Sequence, residues 1–380
     1  MNNKVYDVVI IGGGMAGISV AYRIAPHCSV LILEQESQPA YHTTGRSAAM
    51  YMETYGTEQI RALTRASREF FDNAITNSFS DTPLVTPRGC IYVAAPDETQ
   101  QMHALYDEMR NNSPDNVQLI DRDEVMSLAP IMRPERVAGA IYEEHAEDID
   151  VNALLLSFLR GARAHGAELR PSTSLESAKQ INGLWHIQTS QGDAIQARTL
   201  VNAAGAWADV IAERSGIEPI GFVPYRRSAF TFDPPADLAI KDLVLVVGIM
   251  ENYYIKPDAG QLLGSPANAD PTIPHDVVAE ELDIASGIYH IEENTTLTIP
   301  RPNHTWAGLR TFSPDKDLVI GEDPQAKGFF WLAGQGGYGI QSAPGVSELA
   351  ACLILNKTLS DTLKKEGVNP RIISPARFRK

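Results

Sequence analysis

The sequence predicts a mixed α/β protein in which a parallel-sheet domain is interrupted by a region of antiparallel strands. Three observations carry this reading. An apolar run, Val8-Val9-Ile10-Ile11, empties into glycines and then into a helical stretch. A second apolar run, Phe329 to Ala333, does the same near the C-terminus. Between them, segments such as Tyr225 to Phe232 and Thr305 to Thr311 read as strands, and alternation assigns their side chains to two faces.

The first element organises the rest. Val8 to Ile11 has the continuous apolar pattern of a strand covered on both faces. Gly12-Gly13-Gly14-Met15-Ala16-Gly17 follows at once and matches G-x-G-x-x-G. Gly12 permits the tight turn, Gly14 lets the backbone approach a pyrophosphate, and Gly17 lets the helix lie against the strand. The helix start offers free N–H groups and a positive dipole end to phosphates. A second strand, Ser29 to Leu33, ends at Glu34, 22 residues after Gly12. A carboxylate there accepts hydrogen bonds from a ribose. Strand, glycines, helix, strand and acid together predict a Rossmann-like dinucleotide-binding domain.

At 380 residues the chain can hold two domains with substantial cores. Its net charge of −15 and pI near 5.0 argue against nucleic acid and anionic membrane surfaces as partners. Cys28, Cys90 and Cys352 have no metal-ligand spacing and no disulfide framework, which suits a reducing compartment. The early apolar run is short and lacks a basic leader, and no stretch reaches bilayer-spanning length. A cytoplasmic location without a transmembrane segment is the expectation.

Taken in order, Tyr41 to Ala49 is a small, hydroxyl-rich segment carrying Arg46; its place after the ribose-binding strand points to cofactor contact. Met50 to Gly56, with Tyr51 and Tyr55, suits a lid over a pocket, and Ile60 to Phe71 is a scaffold helix. Pro87 to Val93 opens the β-rich region, followed by an acidic helix from Glu98 to Arg110 and a capped one from Asp121 to Leu128. Asp150 caps the helix that returns to the first domain. Ser174 to Ile181 and Leu184 to Thr189 form a hairpin around Asn182-Gly183. Leu200 to Ala203 is a strand running into Ala204-Gly205-Ala206-Trp207, small residues that can approach a nucleotide from its other side. In the strand-rich stretch that follows, alternation sets Arg227, Ala229 and Thr231 on one face, and Tyr254 with Lys256 on another. Gly334 to Gln341 is a second glycine loop at a strand-to-helix junction, able to offer N–H groups to an electron-rich ring edge.

Seven ordered blocks spread over the chain resemble the D-amino-acid oxidase family of FAD-dependent oxidoreductases. They are the Gly12–Gly17 turn with Glu34, Tyr41 to Ala49, Val201 to Trp207, Arg226 to Phe230, Tyr254 to Gly260, Trp306 to Arg310, and Gly334 to Gln341. Within the family the chain is most similar to bacterial D-amino-acid dehydrogenases of the D-arginine type. The resemblance implies a Rossmann-like FAD-binding domain from residues 1–85, 146–220 and 310–380, and a discontinuous antiparallel-sheet substrate domain from residues 86–145 and 221–309. It implies FAD contacts from Gly12, Gly14, Met15, Ala16, Gly17, Glu34, Thr44, Arg46, Ser47, Ala48, Leu175, Ala204, Gly205 and Trp207, and from Gly336, Gly337, Tyr338, Gly339, Ile340 and Gln341. It further implies a carboxylate clamp of Arg227 and Arg310, helped by Tyr254 and Tyr55, with Met50, Cys90 and Gly337 completing the substrate site.

Two departures bear on substrate. Arginine-type members carry a His after the Ser-Ala-Ala run and an acid on the strand after Pro-Arg, where this chain has Met50 and Cys90. A buried cation needs a carboxylate partner, so a neutral or apolar D-amino acid, or a cyclic imino acid, is the expected substrate. The implied reaction passes hydride from Cα to flavin N5, and the imino acid then hydrolyses to a keto acid and ammonia. A glycine- or sarcosine-type amine oxidoreductase is an alternative on the same fold. So is a 2-hydroxy-acid dehydrogenase, which needs a base such as His42 or His145. A non-enzymatic flavoprotein fits the clustered arginines and tyrosines poorly. No cysteine stands near Gly336 for a flavin link, so noncovalent FAD is expected. The electron acceptor stays open between a quinone and O₂.

Overall fold

The structure is a computed structural model and describes residues 4–113 and 115–379. Its first sheet has eight strands. At the centre Val5–Ile11 runs parallel to Val30–Leu33 on one side and to Ala194–Asn202 on the other. The first half of Ala194–Asn202 also pairs with the hairpin of Leu175–Ile181 and Leu184–Thr189, and its last residues pair with Phe329–Ala333. The hairpin turns as Asn182-Gly183 requires, with φ of 51° and 80°. Sequence reading placed only Leu200 to Ala203 in that third strand; the structure extends it back to Ala194, because its exposed half is held by hairpin partners rather than by an apolar pattern.

Helices Met15–Ile24, Val151–Ala164 and Ala343–Ile354 cover one face of this sheet over a core that includes Ile10, Ile32, Phe158 and Leu349. Helix Ala208–Arg214 covers part of the other face over Val9, Leu31 and Trp331. Burial on both faces is what the continuous apolar strands required. The strand C-terminal ends therefore open on one crevice, where the glycine turns sit.

The second sheet has nine strands, in the order Asp270–Pro271, Val223–Phe232, Gln261–Ser265, Tyr254–Asp258, Leu245–Gly248, Cys90–Ala94, Gly139–Glu143, Gln118–Ile120, with His304–Phe312 on the other edge of Val223–Phe232. It is mixed rather than wholly antiparallel, since Leu245–Gly248 runs parallel to Cys90–Ala94. A helix, Glu281–Asn294, interrupts the stretch read as continuous strands; it buries only Ile284, Gly287 and Ile291, a stripe too narrow to stand out in the sequence. A small sheet of Met50–Tyr51, Glu147–Ile149 and Val85–Pro87 joins the two larger units where the chain crosses between them. Among the described residues no helix is long and apolar enough to cross a membrane.

Candidate active site

The site begins at the first glycine turn. Gly12 has φ +112°, and a Cβ there would meet the Ala203 carbonyl at 2.4 Å, so the turn admits no larger residue. Glu34 is buried and turned back on the turn: one carboxylate oxygen accepts from Gly13 N at 2.7 Å and the other from Glu36 N at 2.9 Å. Burial pushes its carboxyl up, while those two N–H groups pull it down. Thr44 belongs to the short 3₁₀ helix Thr43–Arg46, yet its hydroxyl accepts from Met15 N at 3.1 Å. It thereby satisfies the first N–H of the dinucleotide helix from a separate loop.

A cleft runs from this turn to the second sheet. Its lining includes Gly12, Gly14, Met15, Ala16, Glu34, Thr44, Arg46, Ser47 and Ala48 on the side of the first turn. Leu175, Ala204, Gly205 and Trp207 line it from the neighbouring strands, and Gly336, Gly337, Gly339 and Ile340 from the second glycine loop. At its far end stand Arg227, Tyr254 and Arg310. A Cβ built on Gly14 would meet only Thr44 Oγ1, at 3.3 Å, so the space in front of the helix start is open to a ligand. An elongated cleft, a helix N-terminus, a buried acid at one end and a glycine loop at the other fit FAD, the dinucleotide expected from the sequence. None of the three cysteines lines it, which suits noncovalent binding.

Some expected contacts take other roles. Gly17 lies beneath the turn, where a Cβ would sit 2.0 Å from the Gly12 carbonyl, so it shapes the cradle without lining it. Arg46 lines the cleft, but its guanidinium donates to the carbonyls of Val277 at 2.8 Å, Ala307 at 3.1 Å and Tyr41 at 3.2 Å, and pairs with Asp276. It fastens the 43–46 turn to the second unit and has little left for a phosphate. Tyr338 does not line the cleft; the chain turns it away, and its ring packs 4.7 Å from Tyr55 and 6.2 Å from Phe312. Gln341 is buried and donates to Met52 O at 3.2 Å, Tyr55 O at 3.5 Å and Thr64 Oγ1 at 3.0 Å, so its amide is spent on the neighbouring loop.

The arginines meet through strand register. Val223–Phe232 and His304–Phe312 pair antiparallel, with Arg227 opposite Gly308 and Arg310 opposite Tyr225. Arg227 and Arg310 are therefore diagonal neighbours on one face. Arg226, on the other face, pairs with Asp283, Glu280 and Asp270. Arg227 and Arg310 make no ion pair among the described residues: Arg227 Nε donates to Asn268 O at 2.6 Å and Arg310 Nη1 to Tyr55 Oη at 3.1 Å. Burial, and then the neighbouring Arg310 charge, holds the Arg227 guanidinium below the ordinary arginine range. A Cβ on Gly337 would come within 2.9 Å of Arg310 Cζ, so the glycine lets the loop lie against that guanidinium.

Beside the arginines a chamber opens, sharing Ser47, Ala48, Arg227, Tyr254, Arg310, Gly337 and Ile340 with the cleft. Met50 and Tyr55 line it as expected. Cys90 does not: it is wholly buried in the sheet, and Tyr92, two residues along the same face, lines the chamber instead. Leu245, Val247, Glu251 and Lys256 are further wall residues that sequence reasoning left out of the site. Tyr92 was within reach of the alternation rule, and Lys256 shares the face of Tyr254; Leu245 and Val247 carry no signal beyond an apolar strand. Lys256 is buried against Asp148, with Met50 Sδ 3.8 Å from its Nζ, and Asp148 also accepts from Arg88 Nε at 2.7 Å. His42 lies away from this chamber, 2.9 Å from a Glu36 oxygen and 4.5 Å from the Trp207 ring, and His145 lines a separate pocket behind Glu143.

Behind the chamber wall, burial pushes the Glu143 carboxyl up to about 7 against the hydrogen bonds it accepts from Thr54 and Glu53. An acid whose folded pKa is raised gives up its proton first in the unfolded chain, so stability falls as pH rises from about 4.5 to about 7. The loss is about 3 kcal/mol at most, at 1.36 kcal/mol per unit. Glu143→Gln removes this titration. Urea unfolding at pH 5 and pH 8 is expected to show the variant gaining on the parent by up to that amount at the higher pH; a gap independent of pH contradicts it.

A family model described as FAD dependent oxidoreductase (DAO) matches residues 7–353. The chain is 22% identical over 373 residues to mitochondrial dimethylglycine dehydrogenase of Mus musculus, covering 92% of this chain but only 42% of that protein. It is 24% identical to glycine oxidase of Bacillus licheniformis, over 93% of this chain and 94% of the relative. Among solved structures, L-proline dehydrogenase from P. horikoshii superposes with a TM-score of 0.83 at 21% identity, covering 99% of this chain and 98% of the other. With the cleft, the glycine turn and a family match over most of its length, the chain belongs to the DAO family of FAD-dependent oxidoreductases.

Proposed function

We propose that the chain oxidises the Cα–N bond of a small neutral α-amino acid, D-configured or cyclic. The observation that carries this is the Arg227–Arg310 pair, two guanidinium groups on one sheet face at the end of the FAD cleft that make no ion pair among the described residues. A substrate carboxylate supplies the missing charge, and the arginine fork is shaped to bind it in two places. The relatives named for glycine, dimethylglycine and proline act on compounds that carry a carboxylate beside an amine carbon, which supports the same reading.

The glycine turn, Glu34, Thr44, Ser47, Ala48 and the loop from Gly336 to Ile340 would hold FAD, which when bound supplies the two-electron acceptor. The chain's own residues bind and orient. Arg227 and Arg310 fix the carboxylate, the Tyr55 hydroxyl steadies Arg310, and Tyr254 stands beside both. Met50, Tyr92, Leu245 and Val247 surround the remaining space with largely apolar surface. Among the described wall residues the one carboxylate is Glu251, which is exposed and so screened by solvent, while Lys256 adds a cation to the wall and Asp148 behind it is engaged by Lys256 and Arg88. An unpaired buried charge costs several kcal/mol, whereas a misfit methylene costs about 1–3 kcal/mol. Neutral substrates are therefore preferred to D-arginine. Neither histidine that could serve the hydroxy-acid alternative as base, His42 or His145, lines the chamber.

The test is an anaerobic screen of the FAD-loaded protein against D- and L-amino acids, proline, sarcosine and 2-hydroxy acids, reading loss of the yellow absorbance. Bleaching by neutral D- or cyclic amino acids, with D-arginine at least tenfold slower, is the expected result. Bleaching by 2-hydroxy acids alone, or by D-arginine as fast as by any neutral compound, overturns the proposal.

A further inference from the structure

The turn that carries Tyr55 to Arg310 is held by two buried polar side chains, Gln341 at the edge of the chamber and Glu143 behind its wall. From one side Glu143, 2% exposed at the end of strand Gly139–Glu143, accepts from Glu53 N at 3.0 Å and Thr54 N at 3.4 Å through one oxygen. Its other oxygen accepts from Thr54 Oγ1 at 2.6 Å. From the other side Gln341 donates to the carbonyls of Met52 and Tyr55. The N–H groups and carbonyls of a short irregular segment are thus satisfied by side chains instead of by a neighbouring strand. Immediately beyond this anchor, the Tyr55 hydroxyl accepts from Arg310 Nη1 at 3.1 Å.

We propose that Glu143 is a positioning residue for the carboxylate clamp: by fixing the backbone of Glu53 and Thr54 it sets the Tyr55 hydroxyl on Arg310. This rests on the reading of Arg227 and Arg310 as the substrate's carboxylate site. Glu143 belongs to the second sheet, opposite Cys90 in the ladder, and it lines the pocket behind the chamber together with Tyr51, Glu53 and Arg68. It touches no substrate, and its effect runs through the loop. The geometry also explains why the position needs hydrogen-bonding capacity more than charge. In Glu143→Gln the amide oxygen still accepts both N–H groups, and the amide nitrogen donates to Thr54 Oγ1, whose hydroxyl then turns to accept. In Glu143→Ala three donors lose this acceptor, two of them the backbone N–H groups of Glu53 and Thr54.

The experiment is a double-mutant cycle on the FAD-loaded protein with its best substrate. Glu143→Ala is expected to raise KM about fivefold with kcat within about twofold, the size of one lost hydrogen bond to an anchoring group. Tyr55→Phe is expected to do the same alone, and the two together no more than either, because both act on one contact. Glu143→Gln is expected to keep KM within about twofold of the parent. If Glu143→Ala fails to fold, Thr54→Val removes the hydroxyl bond alone and is expected to raise KM about threefold, again without effect in the Tyr55→Phe background. Multiplying effects in the cycle, or an unchanged KM in folded Glu143→Ala or Thr54→Val while Arg310→Met raises it, overturns the positioning role and leaves the clamp standing. An unchanged KM in Arg310→Met removes the clamp itself, which is a separate failure.

Discussion

Arg310→Met is expected to raise KM for the amino-acid substrate tenfold or more while the protein keeps its FAD and its melting temperature. Each charge-assisted bond to a carboxylate is worth about 1.5–3 kcal/mol, and 1.4 kcal/mol is one decade in affinity. Arg310 shares its face with Arg227, receives Tyr55 on one side and packs against Gly337 on the other, so it is the more constrained of the two. Arg227→Met is expected to act in the same direction and less strongly, since its Nε is already committed to Asn268 O. Some loss of kcat accompanies both as orientation loosens. Stability is expected to hold or rise in Arg227→Met, since burial and the Arg310 charge hold that guanidinium below the ordinary range, and to hold in Arg310→Met, whose charge Tyr55 and Tyr254 favour but which has no acid partner among the described residues. Steady-state kinetics, FAD content and melting temperature are measured together. A fall in melting temperature with unchanged KM contradicts the assignment and makes the arginines supports of the sheet.

The second large effect falls on the cofactor. Gly14→Ala is expected to leave the apoprotein as stable as the parent, within about 1 kcal/mol, and to weaken FAD binding by about tenfold to a hundredfold. The added Cβ meets only Thr44 Oγ1 at 3.3 Å, so the protein tolerates it, but it occupies the space over the helix start through which a pyrophosphate would approach. Gly17→Ala is the contrasting control. Its Cβ would lie 2.0 Å from the Gly12 carbonyl and 3.1 Å from Ile10 Cγ2, so the turn itself must move and stability falls along with FAD binding. Fluorescence titration of FAD into apoprotein, with thermal unfolding of the same samples, separates the two. Equal FAD affinity in Gly14→Ala and the parent contradicts the placement of the phosphates at this turn.

The features that sequence reasoning captured are local ones. The glycine turn, the Asp121–Glu124 capping box and the Asn182-Gly183 hairpin are each set by residues within a few positions of one another, and Glu34 is brought to the turn by a single strand–helix–strand unit. The arginine face was readable because strand alternation is strict: Arg226 finds acids on the outer face and Arg227 the cleft on the inner. What escaped depends on distant partners. Arg46 looks like a phosphate ligand until Asp276, Val277 and Ala307 arrive from the other unit to take its donors. Cys90 and Tyr92 share a face, and only the path of neighbouring strands decides which of them reaches the chamber. Gln341 and Glu143 hold a loop with no pattern of its own, so nothing in the sequence near Tyr55 announces either anchor.

The most direct test of the account compares one neutral amino-acid substrate with its carboxamide. The two share the amine, the Cα–H and the side chain, and differ in the charge that Arg227 and Arg310 would bind. Anaerobic mixing with the FAD-loaded protein, read at the flavin absorbance, is expected to give bleaching by the acid with half-saturation at least tenfold lower than by the amide. The gap is expected to shrink in Arg310→Met. Equal half-saturation and equal rates for acid and amide in the parent protein would contradict the carboxylate clamp, and with it the proposed class of substrate.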